Sequence, residues 1–457
     1  MLANKWEQGK NKNMKKNIIA AVPLAVLIGL GGCSSTAEKQ ESQVISKTSM
    51  IKDITYLASD ELNGRGNFTQ DIEQAASFIA KRFEQIGLQP LATESGFLQT
   101  FKLYDLSPKE LNVSLNGLKI DNSMLSMAST RTEFNWQSLS QVEIHVVGES
   151  DDMRQTMSSV NQQGGDHLIL VNRAHQDWFK RYQNYFAKGL RKNNTDETGA
   201  IVLVLTDEVE LTSINVSGMV TRNEHKISNV VGVLPGKSLD KEVVLYSAHY
   251  DHLGAIGEGS DVIYNGADDD ASGTTAVINL AEHFATRKDN ERTLMFAAFT
   301  AEEIGGYGSQ YFSKQLNPED IVAMINIEMI GKPSKFGAGT MWMTGAERSN
   351  LQYLMNQSLQ PSGQKIHTDP YPKQQLFYRS DNATLAGFGV PAHSFSTTQL
   401  DKDKHYHQVS DDIQSLDLDS MYQVIAQLAM AVEGLNAGEQ TPNRIEPLKE
   451  RSKGLIY

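Results

Sequence analysis

The chain has 457 residues, 40% hydrophobic and 21% charged, with a net charge of −13. That composition allows a sizeable core and two or three domains, and it excludes wholesale disorder. The acidic balance argues against nucleic-acid binding, which needs a basic surface, and a single cysteine, Cys33, excludes an intrachain disulfide.

The first 33 residues read as a leader. Met14, Lys15 and Lys16 open a basic segment, an apolar run follows from Ile18 to Leu30, and Gly31 and Gly32 precede Cys33. The apolar run is short for a membrane span. The order resembles a bacterial lipoprotein signal, cut before the cysteine, whose thiol then carries lipid. The competing reading is a free cysteine buried in a signal-anchor helix. Ser34 and Ser35, with no Asp after them, imply anchoring in the outer membrane, facing the periplasm or the exterior. Glu7 and several amides make residues 1–13 a poor start to such a signal, so translation is expected to begin at Met14. Residues 34–48 are polar and read as a tether.

Structured patterning begins at 49. Ile72, Ala75, Ala76, Ile79, Phe83 and Ile86 recur at helical spacing, and Gly87 stops the run. Residues 106–226 differ, and read as an inserted, smaller, β-containing domain. Short β-like runs occur at 142–147, 168–171 and 201–205, with a polar, aromatic-spotted stretch at 178–194 among turn-formers. From 227 the pattern alternates. Apolar runs at 243–248, 293–299 and 321–329 suit strands buried on both faces, and helical spacing appears at 271–284, 308–315 and 421–435. The fold class is therefore α/β, with a mostly parallel central sheet flanked by helices, built from 49–105 and 227–440 and followed by a tail at 441–457. In such sheets function collects past the carboxyl ends of strands.

Metal-ligand residue types lie at those ends. His249 ends the first run, and Asp251 follows two residues later. Asp268, Asp269 and Asp270 precede a helix. The helix dipole tolerates such a triplet and a divalent cation offsets its repulsion far better, whereas a simple helix cap needs only one Asp. Glu302 and Glu303 follow an apolar strand directly, so one can bind metal while its neighbour acts as a general base. Glu328 is an acid within an apolar pattern, costly unless paired or ligated. Far downstream, His405 and His407 share one loop. Nitrogen and oxygen ligands without thiolate suit zinc, with Co2+ or Mn2+ as substitutes. Spacing alone leaves open which of the three Asp, and which of the two His, takes part.

The order and spacing of these segments resemble the di-zinc aminopeptidase family that includes glutamate carboxypeptidase and the transferrin receptor ectodomain. The stretches Leu57–Gly66 and Arg379–Asn382 share in the likeness. The resemblance implies a zinc exopeptidase fold and two Zn2+ per chain. His249, Asp269 and Glu328 would hold one ion, and Asp269, Glu303 and His407 the other. It implies Glu302 as general base and a bridging Asp269, whose peptide bond to Asp270 is often cis in relatives. Asp251 would orient His249, and Asp411 would do the same for His407. Two departures stand out: Glu328 where many relatives have Asp, and Asn382 where relatives have His. The middle region resembles a protease-associated insertion. The implied activity is removal of N-terminal residues from peptides, with the oligomeric state left open. Rival expectations are a carboxypeptidase gripping its substrate with Arg379, a one-zinc glutaminyl cyclase-like enzyme, and a non-catalytic binding protein.

Overall fold

The computed structural model describes residues 45–448 and Gly454; Cys33 and the rest of the leader, tether residues 34–44 and most of the tail lie outside the described residues. Helix α1 spans Lys47–Leu57 and α2 spans Gln70–Ile86. The Thr69 hydroxyl accepts the Ile72 N–H at the start of α2, and Gly87, at φ 85°, ends it in the left-handed conformation. The buried face is the predicted one: Ile72, Ala75, Ala76, Ile79 and Phe83.

Strand β1, Leu98–Leu115, runs out of this body into the middle region. There β2 (Leu125–Ser129), β3 (Glu143–Val147), helix α3 (Met153–Gln163), β4 (Gly165–Val171), helix α4 (Gln176–Ala187) and β5 (Gly199–Leu205) follow. They build a separate four-stranded sheet in the order β2-β5-β4-β3, with β3, β4 and β5 parallel. Strand β6, Ile214–Leu234, returns antiparallel to β1, from Leu115 opposite Ile214 to Leu98 opposite Val230. The expected boundaries at 105 and 226 fall inside both strands, at nearly matched heights, since Asp105 faces Asn223 and Lys102 faces Lys226. The middle region has its own core, including Leu106, Val113, Leu168, Phe179 and Val216. Much of the polar, aromatic-spotted stretch at 178–194 is helix α4, which buries Phe179 and Phe186, and Leu190–Lys192 beyond it pairs with β1.

The main sheet continues with β7 (Leu239–His249), helix α5 (Gly273–Arg287), β8 (Arg292–Phe299), helix α6 (Tyr307–Lys314), β9 (Ile321–Ile327), β10 (Trp342–Met343), helix α7 (Leu351–Leu359), helix α8 (Asn382–Gly387), β11 (Ala392–Ser396) and helix α9 (Leu418–Ala431). Among the longer strands and β10 its order is β10-β11-β9-β7-β8-β6-β1, with short strands extending both edges. Strands β8, β7, β9 and β11 are parallel, and the flanking pairs are antiparallel. Every residue of β8 is buried, as a strand covered on both faces requires. Helix α5 lies against β9 so closely that a Cβ on Gly273 would sit 2.3 Å from the Ile327 carbonyl oxygen. At the junction of the two regions Phe101, Leu103 and Ile227 pack with Ala301, one residue before Glu302.

Candidate metal centre

The carboxyl ends of the parallel strands β7, β8 and β9 converge. His249 closes β7, Glu302 and Glu303 follow β8, and Glu328 follows β9. The Asp triplet enters from the turn before α5. Buried Arg65, from the Leu57–Gly66 stretch, holds two of these segments together. It donates to the carbonyls of Tyr250 (2.7 Å), Asn265 (2.6 Å) and Gly266 (2.9 Å), which explains why that stretch accompanies the ligand segments. Gly64 allows this turn: its φ is 68°, and a Cβ there would meet the Tyr264 carbonyl oxygen at 2.3 Å.

The three Asp divide their work. Asp268 faces away, accepting the Gly331 N–H at 2.7 Å and pairing with Lys332 at 3.2 Å. Asp270 caps α5 by accepting the Gly273 N–H at 3.0 Å, and it accepts the Met329 N–H at 2.9 Å. Asp269 is left to face the cavity. Its Oδ1 lies 3.2 Å from His249 Nε2, and its Oδ2 lies 3.3 Å from His407 Nε2. His249 Nε2 is also 3.3 Å from Glu328, and His407 Nε2 is 3.3 Å from Glu303. The Asp269–Asp270 peptide bond is cis.

Two triads therefore share one carboxylate. A tetrahedral ion with bonds of about 2.0–2.1 Å has ligand-to-ligand edges of about 3.3–3.4 Å, close to all four separations. The side chains also lack better partners. Glu303 Oε1 and His407 Nε2 are buried and form no properly directed hydrogen bond. These donors fit divalent cations such as zinc.

The electrostatics agree. Burial alone would raise Asp269, yet the imidazoles of His249 and His407 beside it hold it well below the usual carboxylate range. The carboxylates of Asp269 and Glu303 push His407 up to about 10. Burial disfavours a charged His249, but Glu328, Asp251 and Asp269 together raise it well above its ordinary value. A dication would take over that charge compensation with the nitrogens deprotonated. Glu302 is raised well above the usual range by burial, with the carboxylates of Glu328 and Asp381 adding to it.

Two expected roles change. His249 Nδ1 donates to the backbone carbonyl of Asp251 at 3.0 Å, while the Asp251 carboxylate is 3.7 Å away. That carboxylate instead accepts the N–H groups of Glu302 (3.1 Å) and Glu303 (3.2 Å). Asp251 thus fixes His249 through its main chain and the Glu pair through its side chain. Asp411 does not reach His407; it accepts the N–H groups of Asp268 and Asp269, each at 3.1 Å. His405 turns aside, its Nδ1 donating to the Ser410 carbonyl at 2.9 Å. Ala301, Met329 and His407 all have φ between 53° and 61°, a strained region for residues with a Cβ that brings the ligand side chains round into the site.

The structure adds His252. It is fully buried, and its Nδ1 lies 2.7 Å from Glu303 Oε1 without a properly directed hydrogen bond. His252, Asp269 and Glu303 also converge closely enough to hold one ion. The only signal in the sequence was its position three residues after His249. Asn382, the departure from the resemblance, is buried and donates to the carbonyls of Phe377 and Ala392 at 2.7 and 3.1 Å, so it braces the loop behind the site.

A cavity of about 330 Å³ adjoins the triads, lined among others by Asp269, Glu302, Glu328, Arg379 and Tyr406. The Tyr406 ring stacks on His407 with centroids 3.9 Å apart.

Comparison with known proteins accords with this geometry. The model of Peptidase family M28 matches residues 229–432, the stretch that contains every residue of the cluster. Leucine aminopeptidase 1 of Chaetomium globosum is 27% identical over 206 residues, covering 43% of this chain and 50% of that protein. A probable leucine aminopeptidase of Trichophyton verrucosum is 28% identical over 211 residues, covering 44% and 55%. The chain thus spans about half the length of these curated relatives. Among solved structures, BSAP, a zinc aminopeptidase from Bacillus subtilis, superposes with a TM-score of 0.52 at 15% identity, over 90% of this chain and 99% of that one. An aminopeptidase from Aneurinibacillus sp. strain AM-1 gives a TM-score of 0.51 at 15% identity, over 89% and 98%. The fold is that of these aminopeptidases.

Proposed function

We propose that this protein is a zinc-dependent exopeptidase, an aminopeptidase that hydrolyses N-terminal residues from peptides. The observation that carries the reading is Asp269, whose two carboxylate oxygens face two separate His-and-Glu pairs. His249, Asp269 and Glu328 would hold one zinc, and Asp269, Glu303 and His407 the other. When bound, the ions would supply Lewis-acid polarisation of the scissile carbonyl and lower the pKa of the attacking water.

The chain's own residues do the rest. Glu302 lines the cavity with its N–H fixed by Asp251, and it carries a proton from water to the leaving amine. Asp251 keeps Glu302 and Glu303 in register by accepting both of their N–H groups. A free α-ammonium entering the cavity meets Asp269, Glu302 and Glu328. A free carboxylate would meet one lining cation, exposed Arg379, among the described residues. That asymmetry supports the amino direction over the carboxypeptidase direction. The leucine aminopeptidase relatives point the same way.

The proposal extends to the envelope. Residues 14–35 would export the chain and anchor it by lipid on Cys33 in an outer membrane, with 106–226 as an inserted domain on the catalytic body. Among the described residues no helix is long and apolar enough to cross a membrane.

The test is a panel of aminoacyl chromogenic substrates beside N-blocked peptides, with and without a chelator. Hydrolysis of free-amine substrates only, abolished by chelator and restored by zinc, is expected. Cleavage of N-blocked peptides at their C-terminus would establish the carboxypeptidase instead. One zinc per chain with cyclisation of N-terminal glutamine would establish the cyclase.

A further inference from the structure

The sheet of the middle region carries a second group of metal-ligand side chains, made from none of the residues discussed above. Glu143 and His145 stand two apart on β3, an edge strand, and so share a face. His167 lies on β4, paired with Glu143 in parallel register. His145 Nε2 is 3.0 Å from His167 Nδ1. Glu143 places one oxygen 3.7 Å from His145 Nε2 and the other 3.9 Å from His167 Nδ1.

The tautomer of His167 follows from its neighbour. Its Nε2 lies 2.7 Å from the Gly164 carbonyl oxygen, which can only accept, so Nε2 carries the hydrogen. A neutral ring then presents a lone pair on Nδ1, towards His145. This is the arrangement of a ligating histidine, one nitrogen held by a carbonyl and the other free to coordinate. The ring is almost fully buried, 1% exposed, at the head of an otherwise apolar run from Leu168 to Val171. A single His145-to-His167 hydrogen bond accounts for one contact of the three. It leaves the Glu143 carboxylate beyond hydrogen-bond reach of both nitrogens, whereas one ion with bonds of about 2.0–2.2 Å spans all three groups.

We propose that Glu143, His145 and His167 form an additional site for a divalent transition ion of the zinc class, with water completing the coordination on its open side. His145 and Glu143 are partly exposed, their side chains 21% and 50% accessible, so the ion enters from solvent. It ties the edge strand to its neighbour. It also reaches helix α3, because Gln163 donates to Glu143 at 2.5 Å. The site stabilises the middle region and takes no part in peptide hydrolysis.

The experiment uses the full chain, stripped with chelator, reloaded with Zn2+ and freed of excess. Elemental analysis should count one more ion per chain in the wild type than in His145→Ala. The Asp269→Asn chain should keep that extra ion, which separates this site from the proposed catalytic one. Glu143→Gln should weaken it in a zinc titration by at least the about 10–100-fold that losing a group behind a ligand costs. His145→Ala should hydrolyse peptides at the wild-type rate. Equal metal counts in wild type and His145→Ala, an unchanged zinc affinity in Glu143→Gln, or loss of the extra ion in Asp269→Asn overturns the proposal.

Discussion

Two largely buried groups of carboxylates lie back to back across the Asp triplet. Behind it, Asp268, Asp403 and Asp411 surround Lys332 at 3.2–3.3 Å. In front, the charged or titratable partners of Asp269, Glu303 and Glu328 among the described residues are histidines, Ser380 adds a hydroxyl to Glu328, and Glu303 Oε1 has no directed partner. The rear group is gathered around a fixed cation of the chain, although Asp268 Oδ2 also lacks a directed hydrogen bond. The front group has titratable bases where a cation would serve, so its compensation is conditional. Adjacent residues of one sequence run can thus belong to the framework or to the chemistry. What separates them is whether the chain itself supplies the positive charge.

The largest effect is expected at the shared ligand. Asp269→Asn should lose metal from both sites, measured by elemental analysis, and aminoacyl hydrolysis should fall to background. Its folding should survive, because the change removes one buried negative charge. If Asp269→Asn unfolded under metal-free conditions in which the wild type stays folded, the front group would be framework like the rear one. Next comes Glu302→Gln, which should keep both ions and lose about 10²–10⁴ in kcat with little change in KM. A near-normal kcat in that variant would move the general base elsewhere.

The rear group should answer in stability. Lys332→Met leaves Asp268 and Asp411 buried without their cation. A destabilisation of about 3–5 kcal/mol is expected by denaturant unfolding, with zinc content close to normal at temperatures where the chain is folded. Loss of zinc from a folded Lys332→Met chain would erase the distinction between the two faces.

Much of this comparison was invisible in the sequence. The strands ending at His249 and Phe299 were legible because apolar runs buried on both faces have no polar interruption to confuse their period. Helix α2 was legible because its stripe is clean and both ends are marked, by Thr69 and Gly87. Helix α4 was not, because it buries only Phe179 and Phe186 and its remaining aromatic and charged residues look like a loop. At the site, residue types were legible and roles were not. Spacing could not rank Asp268, Asp269 and Asp270, because their tasks depend on Lys332, His407 and Met329, brought together only by folding. Asp251 was placed by resemblance as a histidine partner, but its carboxylate serves two backbone N–H groups, a contact with no sequence signature.

The smallest expected effect is also the sharpest, because it should fall on one ion alone. Glu328 is aimed by Ser380, whose hydroxyl donates to Glu328 Oε2 at 2.6 Å. Ser380 is itself held by Asn326, which donates to it at 2.9 Å and accepts from Ser247 at 2.7 Å. Among the described residues no such chain touches the Glu303 carboxylate, which is steered by His252 and His407. Ser380→Ala should therefore free the longer Glu arm and weaken one ion by about 10–100-fold, leaving its neighbour in place. A zinc titration of the stripped variant, read by recovery of aminoacyl hydrolysis, should show two phases with only the weaker one displaced. Full activity should return at excess zinc, since Glu302 and the cavity are untouched. Equal weakening of both phases would mean that Asp269 couples the two triads rigidly, so that an error in one is felt in the other.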